Sequence, residues 1–247
     1  MFFQADPGTS WAGSIAACME YPHNRPYTAD DLVRIITLLR DPVDGCPWDK
    51  VQTHTSIRMN FLEEAYEAVD ALDLDDPVLM CEELGDVLMQ VAFHTCMEQE
   101  TGRFTWEQVC DGVCQKLIER HPNIFGTQPG YEGITDWDAL KNKEKGRRTL
   151  ADDLESVPRA MPALMRAAKL QKRAARHGAA LQGADAAALA DAAKNLQTAQ
   201  PASAQAEQAV GELLFAAANL ARQAGVDPEQ ALQKANEAFC TAAGPVA

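Results

Sequence analysis

The chain is 247 residues long and 47% hydrophobic, with a formal net charge of −14 from 22 Lys+Arg against 36 Asp+Glu. Such apolar content supports a packed core and excludes a wholly disordered chain, and the length fits one large domain or two ordinary ones. The acidity argues against nucleic-acid and polybasic membrane-surface partners, and no run of about 20 apolar residues is present to span a bilayer.

The imbalance is local. Residues 1–126 hold 8 Lys+Arg and 22 Asp+Glu, whereas residues 127–247 hold 14 of each. No basic stretch followed by an apolar one opens the chain, so no secretory signal is expected. The seven cysteines are odd in number and show no zinc-type spacing, which suggests reduced thiols in a cytoplasmic protein. All seven are expected to be small buried hydrophobes, and Cys110 and Cys114 share a helix face that suits burial.

Residues 1–27, with Pro7, Gly8, Gly13, Pro22 and Pro26, show no periodicity and are expected to form a loose extension. Thr28, followed by Asp30 and Asp31, has the character of a helix start, and Leu32, Ile35, Ile36 and Leu39 then recur at helical spacing. Asp41-Pro42 through Gly45-Cys46-Pro47 stops that helix and forms a loop. A second helix starts near Thr55-Ser56 and ends in the Asp73–Asp76 cluster. Asp76 and Pro77 cap and open a third, which runs to about Glu100 and is closed by Gly102. A fourth begins near Thr105 and ends at His121-Pro122.

Residues 127–157 are expected to be a linker with a basic cluster of Lys141, Lys143, Lys145, Arg147 and Arg148. A second helical region occupies 158–247. It includes an Ala-rich stretch over 178–206 with few large apolar anchors, then helices near 205–223 and 228–242. No segment alternates like a strand, so the chain reads as an all-α protein. The two halves resemble diverged copies of one unit: Glu83-Leu-Gly-Asp86-Val-Leu pairs with Ala209-Val-Gly-Glu212-Leu-Leu, and Thr105-Trp-Glu-Gln-Val with Asp227-Pro-Glu-Gln-Ala.

The chemistry concentrates in the second and third helices. Glu64 and Glu67 are three apart, as are Glu83 and Asp86, so each pair projects from one helix face. A short connection makes the two helices antiparallel neighbours, and the pairs can then face each other across the seam. Glu63 lies about 100° around the helix from Glu64 and reaches the rim. Four converging carboxylates repel one another unless a cation is present, and all-oxygen ligation suits Mg²⁺ or Mn²⁺. The competing reading is a solvated acidic face. Against it, the acids border apolar positions, and Gly85 within the third helix is best understood as permitting close helix approach or ligand access. His94 is expected to be a satisfied core or boundary histidine, and His121 a helix C-terminal residue.

With these motifs stand the run Leu39-Arg-Asp-Pro-Val-Asp-Gly-Cys-Pro-Trp-Asp49 and Lys116-Leu-Ile-Glu-Arg-His-Pro122. Together they resemble MazG, the all-α nucleoside triphosphate pyrophosphohydrolases, over roughly residues 30–243. The resemblance implies Mg²⁺-dependent cleavage of a nucleoside triphosphate to the monophosphate and pyrophosphate by a homodimer of two MazG-like bundle repeats. It assigns Glu64, Glu67, Glu83 and Asp86 as metal ligands and Glu63 as a ligand or the water-orienting base. Trp48, Lys50, Lys116 and Arg120 become candidates for holding the nucleotide. The second half keeps Lys169, Asn219, Arg222 and Asn236 of the family pattern. It reads Asp191-Ala-Ala-Lys-Asn-Leu-Gln and Ala209-Val-Gly-Glu212 where the acidic motifs belong, and has Ala238 in place of a lysine. Catalysis is therefore expected in residues 28–126, with 158–247 as a degenerate scaffold or dimerisation repeat. The alternatives are a non-catalytic nucleotide-binding scaffold, or a related pyrophosphohydrolase acting on dUTP or phosphoribosyl-ATP.

Overall fold

A computed structural model describes residues 20–23, 25–126, 145–146 and 149–244. Most of the expected extension, and Lys141, Lys143, Arg147 and Arg148 of the basic cluster, lie outside the described residues. The described residues are helical, with no strand among them. They belong to two compact units that meet in sequence at Gly133 and Ile134.

In the first unit, helix starts are written into the sequence as reciprocal caps. Thr28 and Asp31 bond each other's backbone amides at the head of α1 (Ala29–Leu39). Thr53 and Ser56 do the same for α2 (His54–Asp73), and Thr105 and Gln108 for α4 (Trp106–Arg120). Asp76 accepts from Val78 and Leu79 to open α3 (Pro77–Glu100), with Pro77 in the first turn, where its missing N–H has no partner to lose. Each such cap contributes about 1 kcal/mol. Gly102, at φ +70°, turns the chain after α3 in a conformation that suits glycine.

Helix α3 is the centre of this unit, with α1, α2 and α4 all packed on it. The core comprises Ile36, Ile57, Ala92, Phe93, Cys96, Met97 and Trp106. Its position is off-centre along α3: the buried residues of that helix run from Gln90 to Glu98. Much of the apolar surface on the first half of α3, on α2 and on α4 is nevertheless left uncovered within the unit. Met59, Tyr66, Val69, Leu84, Leu88, Val113 and Leu117 are all exposed.

The loop between α1 and α2 is built around two residues. Asp41 Oδ1 accepts from Val43 and Asp44, both at 2.9 Å, and those amides, Asp44's first, hold its carboxyl below the usual carboxylate range. Gly45 leaves no room for a side chain: a Cβ there would lie 2.5 Å from the Leu39 carbonyl oxygen and closer still to that of Asp41. Because both obstacles are backbone, Gly45→Ala is expected to destabilise the first unit by roughly 2 kcal/mol, the cost of overpacking a site that cannot yield. A thermal melt of the variant checks this, and an unchanged midpoint would refute it.

In the second unit, α5 (Leu150–Glu155) falls inside the stretch expected to be linker. It is anchored there by Asp153, which is 1% exposed and pairs with Arg173 at 2.9 Å and His177 at 3.2 Å. Helices α6 (Ala163–Arg176) and α7 (Ala186–Thr198) pack on α8 (Ala204–Gln223), and α9 (Pro228–Ala243) follows. The Ala-rich stretch is ordered into α7 despite its lack of large anchors. Alanines are buried on both α7 and α8, including Ala192, Ala209, Ala216 and Ala218, and small side chains let helix axes approach closely. Asn219 adds a buried bond from Nδ2 to the Ala184 carbonyl at 2.6 Å.

The expectation of seven buried cysteines is corrected. Of the six described, Cys96 is buried and Cys46 and Cys110 are half-buried, but Cys81, Cys114 and Cys240 are exposed. Cys114 lies on the α4 surface that nothing in the unit covers. All six are free thiols. No helix among the described residues is long and apolar enough to cross a membrane.

Candidate metal centre

Helices α2 and α3 are joined by only Leu74, Asp75 and Asp76, so they return alongside each other and their acidic faces meet. One carboxylate oxygen each from Glu64, Glu83 and Asp86 lies within 4.8 Å of the others. All three side chains are half-buried, and they are the one trio of potential ligand side chains so gathered among the described residues.

The electrostatics record the crowding. Glu64 is pushed above the ordinary carboxylate range, first by burial, then by the charges of Asp86 and Glu67. Glu83 is pushed the same way by lost hydration and by Glu67, Asp86 and Glu82. Such a cluster favours either a proton or a cation. Three half-buried oxygen donors on two adjacent helices match the needs of a hard divalent ion that keeps waters and accepts further ligands from phosphate. The residues present therefore fit such an ion.

Glu67 is exposed and lies outside the trio, but its charge contributes to raising both Glu64 and Glu83. Glu63 is exposed and also outside the trio. A Cβ at Gly85 would meet no atom within 4 Å, so close helix approach inside the unit does not explain this glycine. The nucleotide candidates come from the loop after α1 and from α4. Trp48 is 57% exposed ahead of a short 3₁₀ turn, Asp49–Val51. Lys50 in that turn donates to the Pro42 and Val43 carbonyls, both at 3.4 Å. Lys116 is exposed on α4, and Arg120 is half-buried in its last turn.

Three features of this region carry no motif of their own in the sequence. Arg40 caps α1 with a side chain 5% exposed, and its guanidinium binds Glu100 through two nitrogens at 2.5 and 2.8 Å. It also donates to the carbonyls of Asp49 and Gln52, and lies 5.2 Å from the Phe93 ring centroid. It was legible only as part of the Leu39–Asp49 run. His54 and His94 stack with their Nδ1 atoms 2.7 Å apart, and His54 reaches buried Glu98 at 2.5 Å. Burial and the His54 charge lower the pKa of His94, as befits the boundary histidine expected. Gln90, one turn beyond Asp86, directs its amide at Glu64.

In the second unit a cavity of about 580 Å³ opens between α7 and α8. Asp191, Glu212, Gly211, Gln182 and Phe215 line it.

Residues 52–125 match the model of the MazG nucleotide pyrophosphohydrolase domain. The chain is 40% identical over 219 residues to the nucleoside triphosphate pyrophosphohydrolase of Escherichia coli (strain K12), covering 85% of this chain and 83% of that protein. It is 39% identical over 212 residues to the nucleoside triphosphate pyrophosphohydrolase/pyrophosphatase MazG of Thermotoga maritima, covering 85% and 82%. A Mycobacterium tuberculosis protein named nucleoside triphosphate pyrophosphohydrolase is 38% identical over 136 residues, 53% of this chain and 41% of that one. Similarity of this level along most of both chains, with the domain match falling on the helices that carry the carboxylates, establishes that the chain belongs to the MazG family.

Proposed function

We propose that this chain is a Mg²⁺-dependent nucleoside triphosphate pyrophosphohydrolase, with Mn²⁺ as a competent substitute, working through the carboxylate cluster of its first unit. The observation that carries the reading is the convergence of Glu64, Glu83 and Asp86 from two helices within 4.8 Å. These three, with Glu67, hold the ion. A bound divalent ion would neutralise phosphate charge and polarise the reacting phosphorus centre. Glu63, exposed at the rim, orients the attacking water and accepts its proton. Lys116 and Arg120 on α4 supply positive charge to an anionic triphosphate, and Trp48 and Lys50 hold the rest of the nucleotide.

The second unit serves as scaffold, since Ala209 and Glu212 stand where the first has Glu83 and Asp86. The exposed apolar rows of α2, α3 and α4 flank the cluster and support a homodimer built on that face. Free thiols favour a reducing, cytoplasmic setting, and the net charge of −14 opposes nucleic-acid and anionic-membrane partners.

The test is a product-resolved assay of the full chain with each common nucleoside triphosphate and Mg²⁺. Monophosphate and pyrophosphate in equal amounts are expected. Diphosphate with orthophosphate would refute the reaction. Nucleotide binding without turnover in either metal would favour the non-catalytic scaffold.

A further inference from the structure

We propose that Gln90 is a positioning residue for the metal centre, holding the Glu64 carboxylate in its ligating orientation from across the helix seam. The inference rests on the metal-centre reading above and adds a residue to it. Gln90 is 8% exposed and opens the buried stretch of α3, where Thr95 and Glu98 are the other buried polar side chains. Its Nε2 lies 3.5 Å from Glu64 Oε1, the long end of a direct hydrogen bond. It stands four residues beyond Asp86, on the same row of α3. One helix thus supplies a ligand and, a turn later, the donor that aims the ligand of the other helix.

The chemistry of the position favours an amide. A lysine or arginine here would compete with the ion for Glu64. A carboxylate would add a further negative charge beside Glu64, Glu83 and Asp86. An apolar side chain would leave Glu64 free to rotate among conformers, of which only some ligate. A neutral N–H donor satisfies one lone pair of the carboxylate and leaves the other oxygen for the cation. Partners of this kind orient metal ligands, and their loss weakens metal binding by about 10–100-fold.

The second half of the chain provides an independent indication. With Glu83 and Asp86 paired to Ala209 and Glu212, the residue corresponding to Gln90 is Ala216, which is fully buried. Where the acidic motif has eroded, the amide has gone with it.

The experiment titrates the full chain with MnCl₂ alone, without nucleotide, and measures free Mn²⁺ by electron paramagnetic resonance. Gln90→Met keeps the length of the side chain and removes the donor. Its Mn²⁺ dissociation constant is expected to rise about tenfold. In the nucleotide assay its metal requirement should shift by the same factor, with turnover recovering at saturating Mn²⁺. A merely structural role would lower the melting temperature in EDTA and leave the dissociation constant unmoved. An unchanged constant therefore overturns the proposal, whatever the stability. If Gln90→Met fails to fold, Gln90→Asn keeps a buried amide but withdraws the donor by one methylene, and the same criterion applies. Should the wild-type chain itself bind no Mn²⁺, the metal-centre reading falls. Should only the wild-type and variant constants coincide, the role of Gln90 falls alone.

Discussion

Replacing Asp86 with alanine is expected to reduce release of monophosphate and pyrophosphate by at least about 10²-fold, the scale of losing one preorganised electrostatic group at a reacting centre. Glu83→Ala should do the same, and Glu64→Gln should abolish the effect of metal on stability. The informative part is a reversal of sign between conditions. Without metal, Glu64 and Glu83 carry raised pKa values because neighbouring carboxylates and reduced hydration disfavour their charge. A carboxyl raised in this way binds a proton more readily in the folded than in the unfolded chain. Between the ordinary carboxylate value and the raised one, the folded state holds the extra proton, so stability falls as pH climbs through that window and stays lower above it. In EDTA at neutral pH, Glu64→Gln should therefore melt above the wild type, and the advantage should vanish on acidification below the ordinary carboxylate range. With Mn²⁺ at about a hundred times its dissociation constant, the wild type should gain about 2.7 kcal/mol and the variant little. Melting curves in EDTA and in Mn²⁺, at acidic and neutral pH, test the prediction. A variant less stable than the wild type under all four conditions would mean that Glu64 is structural.

Arg40→Met is expected to destabilise the first unit by about 3 kcal/mol, read as a lower urea midpoint. The methionine fills much of the volume, so the loss isolates the polar network. Two carbonyls, of Asp49 and Gln52, lose their donor, and Glu100 loses both of its bonds to the guanidinium. Glu100 is itself substantially exposed, so water recovers part of its loss and the cost stays below that of a fully buried pair. Arg40→Lys should rescue little, because one ammonium cannot reproduce a fork that reaches a carboxylate and two carbonyls at once. A lysine variant as stable as the wild type would show that only charge at this place matters.

Much of the first unit was legible in the sequence because its signals are local. Thr28 and Thr105 cap helices through residues three positions on, Asp76-Pro77 opens α3 where those residue types belong, and the start expected near Thr55-Ser56 lies two residues earlier, at the Thr53 cap. The convergence of Glu64, Glu83 and Asp86 was legible too, since helical spacing and a three-residue connection nearly determine it. Long-range polar partners were not. Nothing local says that Arg40 meets Glu100 or that Gln90 faces Glu64, because side-chain pairing across a seam depends on the rotation of both helices. Helix α5 was missed for the same reason: Asp153 is one acid among several in the sequence and becomes an anchor only when Arg173 and His177 close on it. The cysteines failed in the opposite direction. Burial is a general preference of cysteine, and it yields where Cys81, Cys114 and Cys240 stand on exposed helix positions.

Helix α3 joins two environments in one continuous element. Its second half, from Gln90 to Glu98, is sealed in the core, while its first half, with Val78, Leu84 and Leu88 exposed, carries Glu83 and Asp86. Local opening follows burial, so backbone amides near the carboxylates should exchange with solvent far sooner than those a few turns on. The cluster therefore resides on the part of the helix that can fray without unfolding the domain. Cation affinity at the proposed site would then include the free energy of ordering that end, and substitutions that stiffen the first turns of α3 would be expected to tighten metal binding without touching a ligand.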